Sequence, residues 1–213
     1  MIEITQLISV FETVGIMVFA ASGALVGVRK GMDIFGVCIL GLTTACGGGI
    51  LRDLILGNTP PAVFQDPAAA LAAVLASLVM FLPALRHWLM HDQRRYDLFM
   101  LLLDSAGLGL FTVIGMRVAW SCQAQPSLYL EVFVGVITGV GGGLLRDIMA
   151  GNVPYIFAKH HIYACAALVG ALACGLLKDI TGEAAAMSIG AALIFIIRCL
   201  SAHYKWNLPE AHD

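Results

Sequence analysis

Charged residues are scarce in this chain: Asp, Glu, Lys and Arg make up only 12% of its 213 residues, whereas hydrophobic residues make up 60%. Soluble domains carry about a quarter of their residues as charges, so this composition excludes an ordinary soluble domain. The net charge is -2, and the 12 Lys and Arg residues occur only singly or in pairs. The chain therefore lacks a basic patch for nucleic acid and has the composition of a membrane protein.

Motifs for enzyme chemistry are also missing. No G-x-S-x-G, H-E-x-x-H or phosphate-binding-loop pattern is present, and the six cysteines include no C-x-x-C pair. We interpret most of the cysteines as small apolar residues of the membrane segments, so no disulfide is assigned. We expect a protein that is not an enzyme, with no catalytic residues, no metal and no cofactor.

Seven segments are long and apolar enough to cross a bilayer, which takes about 20 residues in a helix. They lie at 5–28, 34–56, 67–85, 97–118, 129–150, 160–178 and 183–203. Polar or proline-containing stretches separate them, such as Pro60-Pro61 after the second segment. The sequence predicts an all-α membrane protein with seven transmembrane helices in one integral domain over 1–213.

The distribution of Lys and Arg predicts the orientation, because inner loops carry the excess of these residues. With the N-terminus outside and the C-terminus in the cytoplasm, only Arg117 and Lys178 fall on the outer side. Eight fall at inner loops and helix ends: Arg29, Lys30, Arg86, Arg94, Arg95, Lys159, Arg198 and Lys205. The histidines also fall on the inner side, where we interpret them as headgroup contacts rather than metal ligands: His87, His91, His160, His161, His203 and His212.

The chain contains an internal repeat. The stretch GGGILRDLILGNTP at 47–60 returns as GGGLLRDIMAGNVP at 141–154, a shift of 94 residues, and a shift of 92 maps Glu12 onto Asp104. The copies cover 1–90 and 95–180, with three membrane segments each. An odd number of segments makes the second copy enter the membrane from the opposite side, so an inverted repeat is predicted. The seventh segment, 183–203, is an unpaired addition.

Two glycine triplets lie inside the second and fifth segments. Glycine in a helix interior costs about 1 kcal/mol relative to alanine, so each triplet indicates a special role. We expect these helices to break or bend there and to expose backbone groups to an ion path; close helix packing is the alternative. The candidate hinge and ion-path residues are Gly47, Gly48, Gly49, Gly141, Gly142 and Gly143.

Six ionisable residues lie within the predicted membrane segments, where charges are unfavourable and usually functional. The candidate pore and gate charges are Glu12, Arg52, Asp53, Asp104, Arg146 and Asp147. Their positions along the helices predict that Glu12 pairs with Arg52 near the outer face and Asp104 with Arg146 near the inner face. The alternative is that both arginines reach for headgroups while Asp53 and Asp147 pair locally.

The repeated Gly-Gly-x-x-Arg-Asp pattern also resembles the signature of tRNA nucleotidyltransferases and poly(A) polymerases. Those soluble enzymes place paired metal-binding aspartates in a D-x-D pattern soon afterwards, because two-metal phosphoryl transfer requires clustered carboxylates. Here only Asp66 follows the first copy, and an apolar helix comes next. The nucleotidyltransferase interpretation is therefore rejected.

Seven segments, a three-plus-three inverted repeat and the doubled G-G-G-x-x-R-D-x-x-x-G-N-x-P resemble the prokaryotic trimeric intracellular cation (TRIC) channels, a family also named for a bacterial glycine-transporter-type (UPF0126) membrane domain. The resemblance covers almost the whole chain. It implies a homotrimer in the inner membrane, one K⁺ or Na⁺ pore per protomer around the second and fifth segments, and bound lipid. Animal members carry Lys-Glu-Val before the second triplet, whereas this chain has Leu130-Glu131-Val132, so phosphoinositide regulation is not implied.

Two functions from different classes remain open at this point. The first is a passive monovalent cation channel, mainly for K⁺, in which carbonyls and acidic groups replace the ion's hydration shell. The second is a secondary transporter for glycine or another small zwitterion, because inverted repeats also build carriers. A structural membrane protein without transport is a weaker third interpretation.

Overall fold

The computed structural model describes residues 4–122, 127–157 and 162–206, and the regular secondary structure of this part of the chain is all helical. Its α-helices are α1 (Ile4–Arg29), α2 (Ile34–Leu56), α3 (Ala68–Phe81), α4 (Pro83–Met90), α5 (Gln93–Cys122), α6 (Leu128–Met149), α7 (Ala164–Thr181) and α8 (Glu183–Tyr204). Short 3-10 turns follow α2 at Ala62–Phe64 and α6 at Tyr155–Phe157. Four residues discussed above lie outside the described residues, namely Lys159, His160, His161 and His212, as does the start of the predicted sixth segment.

Six of these helices are long and apolar enough to cross a membrane on their own: α1, α2, α5, α6, α7 and α8. The predicted third segment differs, because α3 ends at Phe81 and the chain turns by 69° before α4. Pro83 disfavours a helical conformation at the residue before it, and Leu82 is accordingly extended, with φ -56° and ψ 132°. The predicted third segment is therefore a bent pair, α3 with α4, rather than one straight helix, and the described residues have six candidate spans, or seven when this pair is counted as one.

Four helices, α1, α2, α5 and α6, form the centre of the molecule, with α3 packed on α1 and α2 and the α7–α8 hairpin packed on α5 and α6. The rings of Phe19 on α1 and Phe111 on α5 lie 5.2 Å apart at the centre. These two residues are equivalent under the 92-residue shift, so the repeat places like residues against each other across the middle of the protein.

The predicted break at the glycine triplets is wrong: α2 and α6 both stay helical through Gly47–Gly49 and Gly141–Gly143. The glycines serve instead to let the two helices cross closely. A methyl group on Gly48 would overlap the carbonyl oxygen of Thr138 on α6, and a methyl group on Gly142 would overlap that of Thr44 on α2. The packing alternative accounts for Gly48 and Gly142, because no side chain fits between the two backbones at that crossing.

The ends of α2 and α6 also match each other in detail. Gly57 and Gly151 adopt left-handed conformations, with φ 75° and φ 67°, which glycine accepts without steric cost. The backbone amide of Asn58 donates to the backbone carbonyl of Asp53 at 2.8 Å. The backbone amide of Asn152 donates to the backbone carbonyl of Asp147 at the same distance. The conserved letters G-N in both copies of the motif thus end both helices in the same way.

Candidate functional site

In the first copy of the motif, Arg and Asp form a local clamp. The Nε of Arg52 donates to Oδ1 of Asp53 at 2.7 Å. The other carboxylate oxygen of Asp53 accepts from the backbone amide of Ala62 at 2.9 Å. The aspartate therefore ties the arginine of α2 to the 3-10 turn that follows the helix.

The second copy repeats this clamp and adds to it. Asp147 accepts from Nε of Arg146 at 2.8 Å and, through its other oxygen, from the amide of Tyr155 at 2.9 Å. Nη1 of Arg146 also donates to Asp104 of α5 at 2.7 Å and to Ser22 of α1 at 2.6 Å. The predicted pair between Asp104 and Arg146 is thus present, in addition to the local pair with Asp147.

Arg146 is only 1% exposed, so its charge is held entirely by protein groups. Hydrogen bonds to charged groups are about twice as strong as neutral ones, and two carboxylates neutralise the buried guanidinium from two helices. This inner cluster, defined here as Ser22, Asp104, Arg146 and Asp147, joins α1, α5 and α6. Its contacts hold the three helices together at the C-terminal end of α6.

The predicted pair between Glu12 and Arg52 is not formed: among the described residues, the ion pair of Arg52 is with Asp53 alone. The repeat explains why. The position equivalent to Ser22 is Ile114, which is buried and cannot accept a hydrogen bond. Arg52 therefore lacks the second anchor that fixes Arg146, and Glu12 remains exposed on α1. The two copies carry the same charges but hold them differently.

Two polar cavities lie at opposite ends of the four central helices. The outer cavity has a volume of about 200 Å³, and its charged lining residues are Glu12, Arg52, Asp53 and Asp66. The inner cavity has a volume of about 540 Å³, and its charged lining residues are Arg29, Asp97, Arg146 and Asp147. Outer and inner refer to the orientation predicted from the sequence.

The two cavities share no lining residue. Along α1, Glu12 lines one and Val26 lines the other, a separation of about 21 Å at 1.5 Å per residue. The space between them holds Phe19 and the crossing of Gly48 with Gly142, all of which are buried. The described conformation therefore has a packed layer between the two cavities.

Sequence reasoning missed one charged residue near the inner cluster. Arg198 on α8 was placed among the inner loops and helix ends, but it is 0% exposed. Its guanidinium lies over the ring of Tyr163, 4.8 Å from the ring centroid, and over Tyr155 at 5.8 Å. A single arginine within the apolar run LIFIIRCL was itself the available signal, since a charge inside a membrane helix is rare.

The phenol of Tyr155 sits beside this arginine, in the turn between α6 and α7. Burial raises the pKa of Tyr155, although the positive charge of Arg198 opposes the shift. The phenol therefore stays protonated at neutral pH and adds no negative charge to the inner cluster.

Comparison with known proteins identifies close relatives. The family model described as glycine transporter matches residues 9–84 and 101–179, two halves that agree with the repeat. A UPF0126 membrane protein of Deinococcus radiodurans is 39% identical over 199 residues, covering 93% of this chain and 89% of that protein. The UPF0126 inner membrane protein YadS of Escherichia coli K12 is 35% identical, covering 93% of both chains.

Solved structures agree with the sequence comparison. A structure determined in a study of conductance through TRIC cation channels superposes with a TM-score of 0.82 at 36% identity, covering 96% of this chain and 97% of that one. The TRIC channel orthologue from Rhodobacter sphaeroides superposes with a TM-score of 0.83 at 35% identity, covering 92% and 97%. The chain therefore belongs to the UPF0126 family of membrane proteins, also described as the glycine transporter family, and its fold matches that of prokaryotic TRIC channels.

Proposed function

We propose that this protein is a cation channel selective for monovalent ions, mainly K⁺, with one path through each protomer. The observation that carries the proposal is the pair of polar cavities at opposite ends of α1, α2, α5 and α6. The close match to structures of TRIC cation channels supports it. The path runs from the outer cavity past the crossing of α2 with α6 to the inner cavity.

The outer cavity is suited to attract a cation. Glu12, Asp53 and Asp66 line it together with one arginine, Arg52. Three carboxylates against one guanidinium leave excess negative charge, and low-dielectric walls strengthen its effect on an approaching ion. In this proposal the acidic groups offset part of the loss of the ion's hydration shell.

The inner cluster acts as the barrier in the proposed path. Arg146 lies at the wall of the inner cavity, and its hydrogen bonds to Ser22, Asp104 and Asp147 hold α1, α5 and α6 together there. Conduction then requires displacement of the Phe19 and Phe111 layer together with a change in the hydrogen bonds of Arg146. The described arrangement corresponds to the closed state.

Assembly and location follow from the same relatives. We propose a homotrimer in the inner membrane, since the R. sphaeroides orthologue is a trimeric channel and E. coli YadS is an inner membrane protein. The N-terminus lies outside and the C-terminus in the cytoplasm, as the distribution of Lys and Arg predicts. The candidate ion-path residues are the six glycines of the two triplets. The candidate gate charges are Glu12, Arg52, Asp53, Asp104, Arg146 and Asp147.

A secondary transporter for glycine is the alternative, and one observation favours it. Arg52 and Glu12 line a single cavity of about 200 Å³, and a guanidinium with a carboxylate matches the two charges of a zwitterion. Transporters of inverted-repeat architecture also bind substrate between their repeats. The two functions differ in what crosses the membrane, so flux measurements separate them.

Liposome flux tests the proposed function. Purified protein in liposomes should release K⁺ down its gradient, and Glu12→Gln should lower this flux several-fold because it removes a carboxylate from the outer cavity. The matched control is Glu183→Gln, which removes an acid outside both cavities and should leave the flux unchanged. Uptake of radiolabelled glycine without K⁺ release would support the transporter and reject the channel.

Cysteine labelling in intact cells tests the orientation. Cys122 is exposed and falls on the predicted outer side, so a membrane-impermeant maleimide should modify it. After Cys122→Ser, a cysteine introduced by Thr181→Cys should be modified, whereas one introduced by Gln93→Cys should not. Modification at position 93 from outside would reverse the proposed topology.

A further inference from the structure

Two buried polar groups near the inner cluster lack hydrogen-bond partners in the direct geometry. All three nitrogens of the Arg198 guanidinium and Oδ2 of Asp104 make no hydrogen bond within the part of the chain described above. Each residue is at most 3% exposed. Buried polar groups are nearly always satisfied by protein or by ordered water, so this cluster indicates a bound partner.

Asp104 and Arg198 line one small void, together with Tyr155 and two apolar residues of α5. The volume of this void is about 10 Å³. A space of roughly 10–15 Å³ is the smallest that holds one water molecule. The void therefore has the size of one water molecule, and its lining residues offer the donors of Arg198 and the acceptor Oδ2 of Asp104.

The chemistry of the void selects water over an anion. Arg198 offers only donors, whereas Oδ2 of Asp104 offers only lone pairs when it is ionised. Asp104 also forms an ion pair with Arg146, whose Nη1 lies 2.7 Å from its other oxygen. A halide would face that carboxylate at close range and would be repelled, but water can accept from the arginine while donating to the aspartate.

We propose that one buried water joins Arg198 to Asp104, so that Arg198 is a second counter-charge for this aspartate. Asp104 then lies between two arginines, one paired directly on α6 and one paired through water on α8. The repeat itself cannot supply the second arginine, because α8 lies outside both copies. The helix added after the repeat thereby stabilises the charge cluster at the end of the path.

This role does not depend on the transport activity of the protein. It concerns the charge balance around Asp104, which lies near the guanidinium groups of both Arg146 and Arg198. Without Arg198 the water loses its donor, and Asp104 keeps only the direct pair with Arg146. Arg198 is thus a positioning residue, which acts on Asp104 and touches neither cavity.

The most direct test is a high-resolution crystal structure of the purified full chain, from crystals grown in sodium bromide. The proposal requires one density peak within hydrogen-bond distance of both an Arg198 nitrogen and Oδ2 of Asp104, with no anomalous signal. An anomalous bromide peak at this position would identify an anion site and overturn the proposal. A protein side chain filling the void, or an empty void, would also overturn it.

A double-mutant cycle tests the same link in solution. Arg198→Met should lower the midpoint of thermal unfolding by several degrees, and the loss should be less than half as large in an Asp104→Asn background. Arg198→Lys, which keeps the charge and a donor, should recover part of the loss. Arg29→Met is the control, because Arg29 also stacks on a tyrosine but is exposed, and its effect should be additive with Asp104→Asn. Additive effects of Arg198→Met and Asp104→Asn would contradict the water-linked pair.

Discussion

Gly48→Ala should strongly destabilise this protein, although alanine is the better helix former. The added methyl group would overlap the carbonyl oxygen of Thr138 on α6, and a backbone atom cannot move without shifting the whole helix. Overpacking of a buried contact costs about 1–3 kcal/mol and sometimes more. Gly142→Ala should have the same effect, because its methyl group would overlap the carbonyl oxygen of Thr44. The midpoint of thermal unfolding in detergent measures both.

Gly49→Ala is the matched control within the same triplet. A methyl group there would meet nothing closer than Nη2 of Arg52, at 3.8 Å. Alanine is favoured over glycine in a helix by about 1 kcal/mol, so this variant should be as stable as the parent or more stable. Equal losses for Gly48→Ala and Gly49→Ala would mean that the triplet is needed for conformational freedom rather than for the close crossing.

Arg146→Met should destabilise the protein far more than Arg52→Met, although the two arginines are equivalent in the repeat. Loss of Arg146 leaves two buried carboxylates without their cation, and breaking a buried ion pair from one side costs about 3–5 kcal/mol. Arg52 has one carboxylate partner and is 9% exposed, against 1% for Arg146. Asp53 also keeps its bond from the amide of Ala62 after the change.

Adding Asp104→Asn should restore part of the stability lost in Arg146→Met, because it removes one of the stranded charges. Chemical or thermal unfolding of the parent, Arg146→Met, Asp104→Asn and the double variant gives the coupling energy between the two residues. Similar losses of stability from Arg52→Met and Arg146→Met would show that the two arginines contribute equally to the free energy of unfolding. The asymmetry between Ser22 and Ile114 would then have no energetic consequence.

Much of the fold was predictable because membrane spans depend on length and hydropathy, which are local properties of the sequence. Six spans appear as single helices, and the repeat predicted that Asp104 meets Arg146. The bend before Pro83 was missed because the apolar run continues to the proline without a charged residue. Proline was the available signal, and its effect on the preceding residue overrides hydropathy there.

The site was harder to predict because it depends on which side chains meet between helices. The triplets were expected to break or bend their helices, since glycine weakens a helix. The glycines are instead required where the carbonyl groups of the opposing helix leave no room for a side chain, and sequence spacing does not reveal that contact. Repeat symmetry predicted a Glu12–Arg52 pair, but the pairing depends on a third position, where Ser22 in one copy corresponds to Ile114 in the other. Arg198 lies outside the repeat, so symmetry gave no information about it.

The central claim is that each protomer conducts monovalent cations, and recording from purified protein in a planar bilayer tests it most directly. With a KCl gradient across the bilayer, the account predicts channel currents that reverse near the K⁺ equilibrium potential. Arg146→Lys, which keeps the charge but loses the forked hydrogen bonds of the guanidinium, should change the open probability without abolishing the current. Currents that reverse near the Cl⁻ equilibrium potential, or no current from folded protein that takes up glycine, would contradict the account.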